Sequence, residues 1–222
     1  MRLVEHANAI LIDECMEDAG FDYPAADGDW AAIAPTSERP YGLWSVESAS
    51  QYGYDLPADP ALEAISASGA YMTLDWSSQL NACYGSTEQL PLLVSGIVDA
   101  DASRMTAVSS RGESEAYLAA TADPQWKAAR EEWWECLRDE GLVPLTGDAD
   151  WGPPVPAELE EQIRVAIIDA SCKEETDLVQ RLGDVEARFQ AAFIASEEAA
   201  LREQRDEVDV VLREARAIVG AG

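Results

Sequence analysis

The chain has 222 residues, with 43 acidic side chains against 15 Lys or Arg and a formal net charge of -28 at pH 7. Its length is sufficient to bury a core, and a hydrophobic content of 47% excludes a wholly disordered chain. A field this negative repels phosphate backbones and anionic membrane faces. Nucleic acid is therefore excluded as a partner, and cationic partners or bound divalent cations are favoured.

The start of the chain is predicted to be a helix over residues 3–19. Residues 20–60 are rich in Gly, Pro, Asp and Ser, which predicts loop and short turns. Weaker helical patterns follow over 60–82 and 86–104, and the polar stretch 107–115 reads as turn-like. No run of about 18 uncharged apolar residues occurs, so no transmembrane segment is expected.

A clear helix starts at Asp123-Pro124, because Asp is a favoured N-cap and Pro a favoured first helical residue. It is expected to end at Gly141. The segment Gly152 to Pro156 contains three prolines and predicts a stiff connector. No alternating strand pattern occurs anywhere, so the predicted fold class is all-α.

The longest helical run extends from about Ala157 to Ile218 and is interrupted only by Gly183. Its apolar positions keep helical spacing, although the period slips around Glu203 to Glu207, which argues against a strict coiled-coil seam. A long C-terminal helix, bent or broken, is therefore expected to pack on the rest of a helical bundle.

An internal repeat relates Glu14–Trp30 to Glu135–Trp151, which align without a gap at an offset of 121 residues. The identical pairs are Glu14/Glu135, Cys15/Cys136, Asp18/Asp139, Gly20/Gly141, Asp27/Asp148, Asp29/Asp150 and Trp30/Trp151. Cysteine and tryptophan are rare residues, so their coincidence makes the repeat specific. Each copy predicts a helix that carries Cys near its end, is closed by Gly and continues into an Asp-rich loop.

The four cysteines include no Cys-x-x-Cys pair, so a structural zinc site is not expected. Four free thiols in a reducing compartment and two disulfides in an oxidising one both remain open. A duplicated unit of two helices joined by one disulfide favours the pairs Cys15–Cys83 and Cys136–Cys172. The units would then comprise residues 1–122 and 123–222, the first with a Tyr/Gly/Pro-rich insertion at about 35–60.

Most of the chain, most closely the part after Trp126, resembles a family of secreted or lipid-anchored actinobacterial proteins. That family pairs a helix of pattern W-x-x-C-M-x-x-x-G with one of pattern A-x-x-D-x-x-C-K-x-x-T-x-L-V. Trp133, Cys136 and Gly141 match the first pattern, with Leu137 in place of Met, and the run from Ala166 to Val179 matches the second. The motifs Tyr41-Gly42-Leu43 and Tyr52-Gly53-Tyr54 are similar to the family's N-terminal half.

This resemblance implies an extracytoplasmic protein with disulfides, either secreted or lipid-anchored, and implies no chemical activity. Residues 1–6 lack the basic and apolar regions of a signal peptide. The expectation from that end is a cytoplasmic chain or a mature one whose export signal is absent.

No catalytic constellation is predicted. His6 is the one histidine, so a two-histidine metal motif cannot be built, and its expected role is structural. Paired carboxylates of a carbohydrate-active enzyme are conceivable among 43 acids, but no spacing singles out a pair. No cofactor is predicted.

The repeated Asp-x-Asp loops are weak candidates for a calcium site, through Asp27 and Asp29 and through Asp148 and Asp150. Neither loop has the glycine that an EF-hand requires at its sixth position. Non-EF binding and simple turn capping are the two interpretations.

Four aromatic residues of the predicted insertion form a possible partner patch if their rings are exposed: Tyr41, Trp44, Tyr52 and Tyr54. Packing within the fold is the alternative. The sequence as a whole predicts a non-catalytic cell-envelope protein that binds another envelope protein or a cell-wall component. A cation-linked sensor or buffer is the first alternative and a carbohydrate-active enzyme the weaker one.

Overall fold

A computed structural model describes residues 2–30, 40–57, 63, 66, 67, 69, 73–91 and 107–220. These residues are all-helical, as predicted, and contain no strand. Their helices are α1 (Arg2–Asp18), α2 (Val46–Tyr52), α3 (Leu74–Ser86), α4 (Val108–Ala122), α5 (Pro124–Asp139), α6 (Leu159–Glu175), α7 (Leu178–Ser196) and α8 (Glu198–Val219). Over the same ranges, no helix is long and apolar enough to cross a membrane.

Both predicted disulfides are confirmed. Cys15–Cys83 joins α1 to α3 with a Cα–Cα distance of 5.8 Å, and Cys136–Cys172 joins α5 to α6 with a distance of 5.7 Å. All four cysteines of the chain are therefore used in covalent links between helices.

The two repeated helices end in the same hydrogen-bonded turn. Gly20 and Gly141 follow the helices with positive φ angles of 82° and 79°, a conformation that glycine adopts without steric cost. Two backbone hydrogen bonds of the Schellman type close each turn. They are Gly20 N to Glu17 O (2.8 Å) and Phe21 N to Met16 O (2.9 Å) in the first copy, and Gly141 N to Arg138 O (3.0 Å) and Leu142 N to Leu137 O (2.8 Å) in the second. The repeat therefore extends from sequence to backbone geometry.

The start of α5 is also as predicted. Asp123 is its N-cap, Pro124 is its first residue, and the Asp123 carboxylate accepts a hydrogen bond of 2.7 Å from Gln125 N.

The two compact units of the structure do not follow the predicted division between residues 122 and 123. Unit 1 takes the described residues of Met1–Ala34, Ala58–Arg111 and Glu197–Gly222, and unit 2 takes those of Pro35–Pro57 and Gly112–Ser196. The C-terminal helix thus belongs with α1, and the predicted insertion belongs with the second Cys pair.

In unit 1, α1 packs against both α3 and α8. Ile12 and Met16 meet Trp76 and Cys83 of α3 in one apolar cluster. Val4 and Ala7 meet Val211 and Ala215 of α8 in another. The amphipathic pattern of α1 therefore serves two helices at once.

In unit 2, α5, α6 and α7 pack on one another and α2 packs on α6. The main cluster contains Trp126, Trp133 and Leu137 of α5 with Leu178 and Leu182 of α7. Trp126 and Trp133 are almost completely buried. Leu43 and Ala49 pack on Ala166 and Ala170 of α6, which attaches the 40–57 segment to this unit.

Two elements differ from the prediction. Residues 107–115, predicted as turn-like, begin α4, whose buried face consists of Gly112, Ala116 and Ala120. These small residues repeat at helical spacing but give no strong apolar stripe, so the pattern was missed. Residues 20–60, predicted as loop, contain α2. Most of the helix predicted over 86–104, residues 92–104, lies outside the described residues.

The run predicted from Ala157 to Ile218 is divided into α6, α7 and α8. The first break is at Thr176 and Asp177, where the Thr176 hydroxyl donates to Cys172 O (2.7 Å) and Asp177 has a φ of 52°. The second break is at Glu197. Gly183, the predicted interruption, lies inside α7, and the slip at 203–207 lies inside α8.

Candidate functional site

A buried ion pair lies at the centre of unit 2. The Lys173 Nζ donates to the Asp169 Oδ2 at 3.1 Å, and both side chains have no solvent exposure. Asp and Lys four residues apart on one helix are neighbours, so α6 brings the pair together by its own geometry. Lys173 Nζ also lies 5.0 Å from the centre of the Trp133 ring.

The ammonium of Lys173 is fully hydrogen-bonded. Its other two acceptors are backbone carbonyls, Leu43 O at 2.8 Å and Trp151 O at 2.7 Å. Three acceptors match the three donors of an ammonium group. Lys173 therefore links α6 to two other segments of unit 2 and has no proton left for a ligand.

Asp169 is likewise occupied by the fold. Its Oδ1 accepts from Trp133 Nε1 (3.0 Å) and its Oδ2 accepts from Tyr54 OH (3.1 Å). Burial raises the pKa of Asp169, while the hydrogen bonds and the charge of Lys173 act in the opposite direction. Burial and the neighbouring Asp169 also raise the pKa of Tyr54 far above its ordinary value, so that hydroxyl remains a donor.

The Tyr41-Gly42 turn makes the contact with Lys173 possible. Tyr41 and Gly42 have φ angles of 65° and 79°. A Cβ on Gly42 would lie 2.6 Å from Trp151 O and 3.1 Å from Lys173 Nζ, so glycine is required by space as well as by backbone conformation. The motif that the sequence singled out thus has a structural explanation.

Arg130 organises the second Asp-x-Asp loop. Its guanidinium donates to the carbonyls of Gly147 (2.9 Å), Asp148 (3.3 Å) and Asp150 (2.8 Å). The Arg130 Cζ lies 4.7 Å from the Trp134 ring centre and 4.6 Å from that of Trp151. Three carbonyls of this candidate calcium loop therefore already bind the guanidinium of Arg130.

In the second loop, one candidate carboxylate binds the loop backbone itself. The Asp150 Oδ2 accepts from Gly147 N at 2.9 Å. In unit 1, Asp27 and Asp29 lie in the turn that leads to Trp30, whose indole donates to Ala25 O (2.9 Å) and stacks on His6. Within the described ranges, no three His, Cys, Asp or Glu side chains come close enough to hold a metal ion.

An open groove of about 430 Å³ lies between α5 and α7. Its cationic lining residues are Arg181 and Arg188. Arg181 pairs with Glu132, and Arg188 pairs with Asp123 (3.4 Å) and Gln125 (2.9 Å). Both cations therefore already have anionic neighbours, and the groove offers no separate anion site.

The structure divides the predicted aromatic patch. Tyr41 is buried and donates to the Glu186 Oε2 at 2.7 Å, and Tyr54 is bound to Asp169. Tyr52 is partly buried at the end of α2. Trp44 is 47% exposed. Two of the four residues thus serve the fold of unit 2, and Trp44 is the one whose large ring faces solvent.

All seven tryptophans lie in described segments, and Trp44 differs from the other six. Each of the others either contacts another ring or hydrogen-bonds a carbonyl. In the part of the chain that the structure describes, the Trp44 indole makes no hydrogen bond and no ring contact. Trp44 is therefore the tryptophan that is least engaged by the described residues of the fold.

The backbone on both sides of Trp44 is fixed. Leu43 is 3% exposed, and its carbonyl accepts from Lys173. Ser45 is the N-cap of α2, and its hydroxyl accepts from Ser48 N at 3.2 Å. We call residues 43–45, with the exposed indole of Trp44, the Trp44 platform.

Sequence reasoning flagged Trp44 but missed the contacts that fix it. Lys173 and Asp169 appeared only within a resemblance motif. Their signal was an Asp–Lys pair at i, i+4 in an apolar helical run, Val165 to Lys173, where solvated charges are not expected. Arg130, also buried, carried no sequence signal apart from its place on the face of α5 between Trp126 and Trp134.

Comparison with family models, with curated proteins and with solved structures finds no match to this chain.

Proposed function

We propose that the protein is a non-catalytic binding protein of an extracytoplasmic compartment, which engages a cell-envelope partner through the Trp44 platform. The single observation that carries the proposal is the solvent-exposed, unpartnered indole of Trp44 on a fixed backbone. Large aromatic anchors dominate binding energy at protein interfaces, and an anchor held in place loses less conformational entropy on binding.

The two disulfides support the compartment part of the proposal. Such links persist in oxidising environments and are rare in the cytosol. The buried ionic groups support the non-catalytic part. The donors of Lys173 and the oxygens of Asp169 all have protein partners that hold helices and loops in place.

A site-specific crosslink tests the proposal. A photoreactive residue replaces Trp44 in the native host, and a matched variant carries it at Leu118, which is 68% exposed on α4 of the same unit. We expect a discrete adduct from position 44 and none from position 118. Mass spectrometry of the adduct, with thiols blocked at lysis, gives the partner and the disulfide state together.

Two results would contradict the proposal. Identical adduct patterns at positions 44 and 118 would show that the platform has no special role. Four blocked free thiols would contradict the proposed extracytoplasmic location.

A further inference from the structure

The charged side chains of two segments, residues 40–57 with the Trp44 platform and residues 147–158, are all acidic. Lys173 binds one carbonyl from segment 40–57 and one from segment 147–158, so these segments run side by side in unit 2. Neither segment contains Lys, Arg or His, and Arg39 directly precedes the first of them in the sequence. Their charged residues are Glu47, Asp55, Asp148, Asp150 and Glu158.

Two cations approach these segments from within unit 2, the guanidinium of Arg130 and the ammonium of Lys173, and both side chains are buried and hydrogen-bonded. Both cations are therefore shielded by the protein from a bound partner. On α6, which packs on α2, the exposed Arg164 is paired with Glu161. Carboxylates therefore outnumber unpaired cations on the described residues around Trp44, within a chain of net charge -28. Glu47 is the nearest of these in sequence and lies in the first turn of α2.

We infer that the Trp44 platform receives an Arg or Lys side chain from a basic segment of a partner protein. The face of an indole attracts a cation through its quadrupole, and Trp is the strongest of the aromatic residues in this role. Carboxylates at the rim steer a basic partner and repel an acidic one. The inference rests on the proposed function and adds the chemical class of the partner.

The chain already uses the same chemistry internally. Arg130 stacks between Trp134 and Trp151, and Lys173 lies over Trp133. In both cases backbone carbonyls or a carboxylate complete the surroundings of the cation. Trp44 and Glu47, which are three residues apart in the sequence, provide an indole and a carboxylate to which a partner's cation can bind.

The test titrates the full-length oxidised protein with a fluorescein-labelled peptide of alternating Arg and Gly, followed by anisotropy. A Glu-Gly peptide of equal length and oligomers of N-acetylglucosamine are the comparison probes. The variants are Trp44→Ala, Trp44→Phe and Glu47→Gln, with Leu118→Ala as the matched exposed control. Circular dichroism melting verifies that each variant is folded.

We expect the Arg-Gly peptide to bind and its affinity to fall as salt is raised from 50 to 500 mM, since surface charges are then screened. Trp44→Ala should weaken binding about tenfold, as expected for an interface anchor. Trp44→Phe should weaken it about threefold, because a phenyl ring retains part of the cation–π attraction. Glu47→Gln should weaken it about twofold, and Leu118→Ala should leave it unchanged.

The outcomes separate the inference from the proposed function. Binding of the glycan oligomers or the acidic peptide that is lost in Trp44→Ala, without binding of the Arg-Gly peptide, would overturn the inference and keep the platform. Equal binding of the Arg-Gly peptide by wild type and Trp44→Ala would show diffuse attraction to an acidic protein and overturn the inference. Failure of every probe, together with no adduct at position 44, would overturn both.

Discussion

Lys173 illustrates how a single buried charge can determine the position of a distant segment. Its ammonium has three acceptors, one on its own helix and two carbonyls from residues 43 and 151. When the two units are aligned on Cys83 and Cys172, Leu80 and Tyr84 occupy the places of Asp169 and Lys173. A disulfide-linked helix pair therefore forms in unit 1 without an ion pair, and the role of Lys173 is to hold residues 40–57 on unit 2.

Lys173→Met tests this role. The variant keeps the volume of the side chain but leaves Asp169 buried without its cation and two carbonyls without a donor. Breaking a buried pair in this way is expected to lower the free energy of unfolding by about 3–5 kcal/mol. The measurement is denaturant unfolding followed by circular dichroism.

Lys127→Met is the matched control, because Lys127 is exposed on α5. Its effect should lie within about 0.5 kcal/mol. Combining Asp169→Leu with Lys173→Met should recover part of the loss, since an apolar pair can replace a buried ion pair. A loss below about 1 kcal/mol in Lys173→Met would contradict the structural role of the ammonium.

At the level of the helices, the repeated turns allow a paired experiment. An added Cβ at Gly20 or at Gly141 would meet no atom within 4 Å, so the positive φ is the sole penalty for Ala at either site. We expect Gly20→Ala and Gly141→Ala each to lower the free energy of unfolding by about 1 kcal/mol.

Gly183→Ala is expected to change the free energy of unfolding in the opposite direction. Gly183 lies inside α7 with ordinary helical geometry and open space around it, so Ala should raise stability by about 0.5–1 kcal/mol. Thermal and denaturant unfolding of the three variants measures all three shifts. Stabilisation by Gly20→Ala or Gly141→Ala would contradict the shared turn geometry.

These elements show which parts of the fold the sequence could predict. Gly141, Asp123 and Pro124 have strong local preferences, so the ends of α5 were predicted from the chain alone. The break at Asp177 was missed because an Asp in the left-handed conformation leaves no distinctive pattern. α4 was missed because its buried side consists of Gly and Ala, which no hydrophobic period reveals.

The candidate site was predictable only in part for a related reason. The sequence placed Trp44 among four aromatic residues, but the burial of each ring depends on partners that are distant in sequence. Tyr41 hydrogen-bonds Glu186, 145 residues away, and Tyr54 hydrogen-bonds Asp169, 115 residues away. Long-range contacts of this kind are not encoded in local periodicity, so only the tertiary structure leaves Trp44 as the exposed ring.

Across the whole molecule, the two units rely on their disulfides to different degrees. In unit 2, α5 and α6 are also joined by the hydrogen bond from Trp133 to Asp169. In unit 1, α3 hydrogen-bonds the loop that follows α1, from Trp76 to Asp22 O and between Tyr84 and Tyr23. Apolar packing and the Cys15–Cys83 disulfide join α1 directly to α3.

Reduction of both disulfides should consequently release α1 and α3 before α5 and α6. The loops closed by the two bonds span 68 and 36 residues, which corresponds to roughly 4 kcal/mol of loop entropy for each. Hydrogen exchange of the reduced and the oxidised protein, read by peptide, measures the effect. Earlier loss of protection in α5 and α6 would contradict the expected order.

The attachment of residues 40–57 to unit 2 also bears on how the chain folds. Leu43 and Lys173 are joined by a hydrogen bond across 130 residues, so the early segment has no binding site until α6 has been synthesised. Contacts of such high sequence separation are slow to form, and domains otherwise tend to fold in the order of their synthesis. The exposed tryptophan consequently acquires its fixed position only after Lys173 is in place, late in folding.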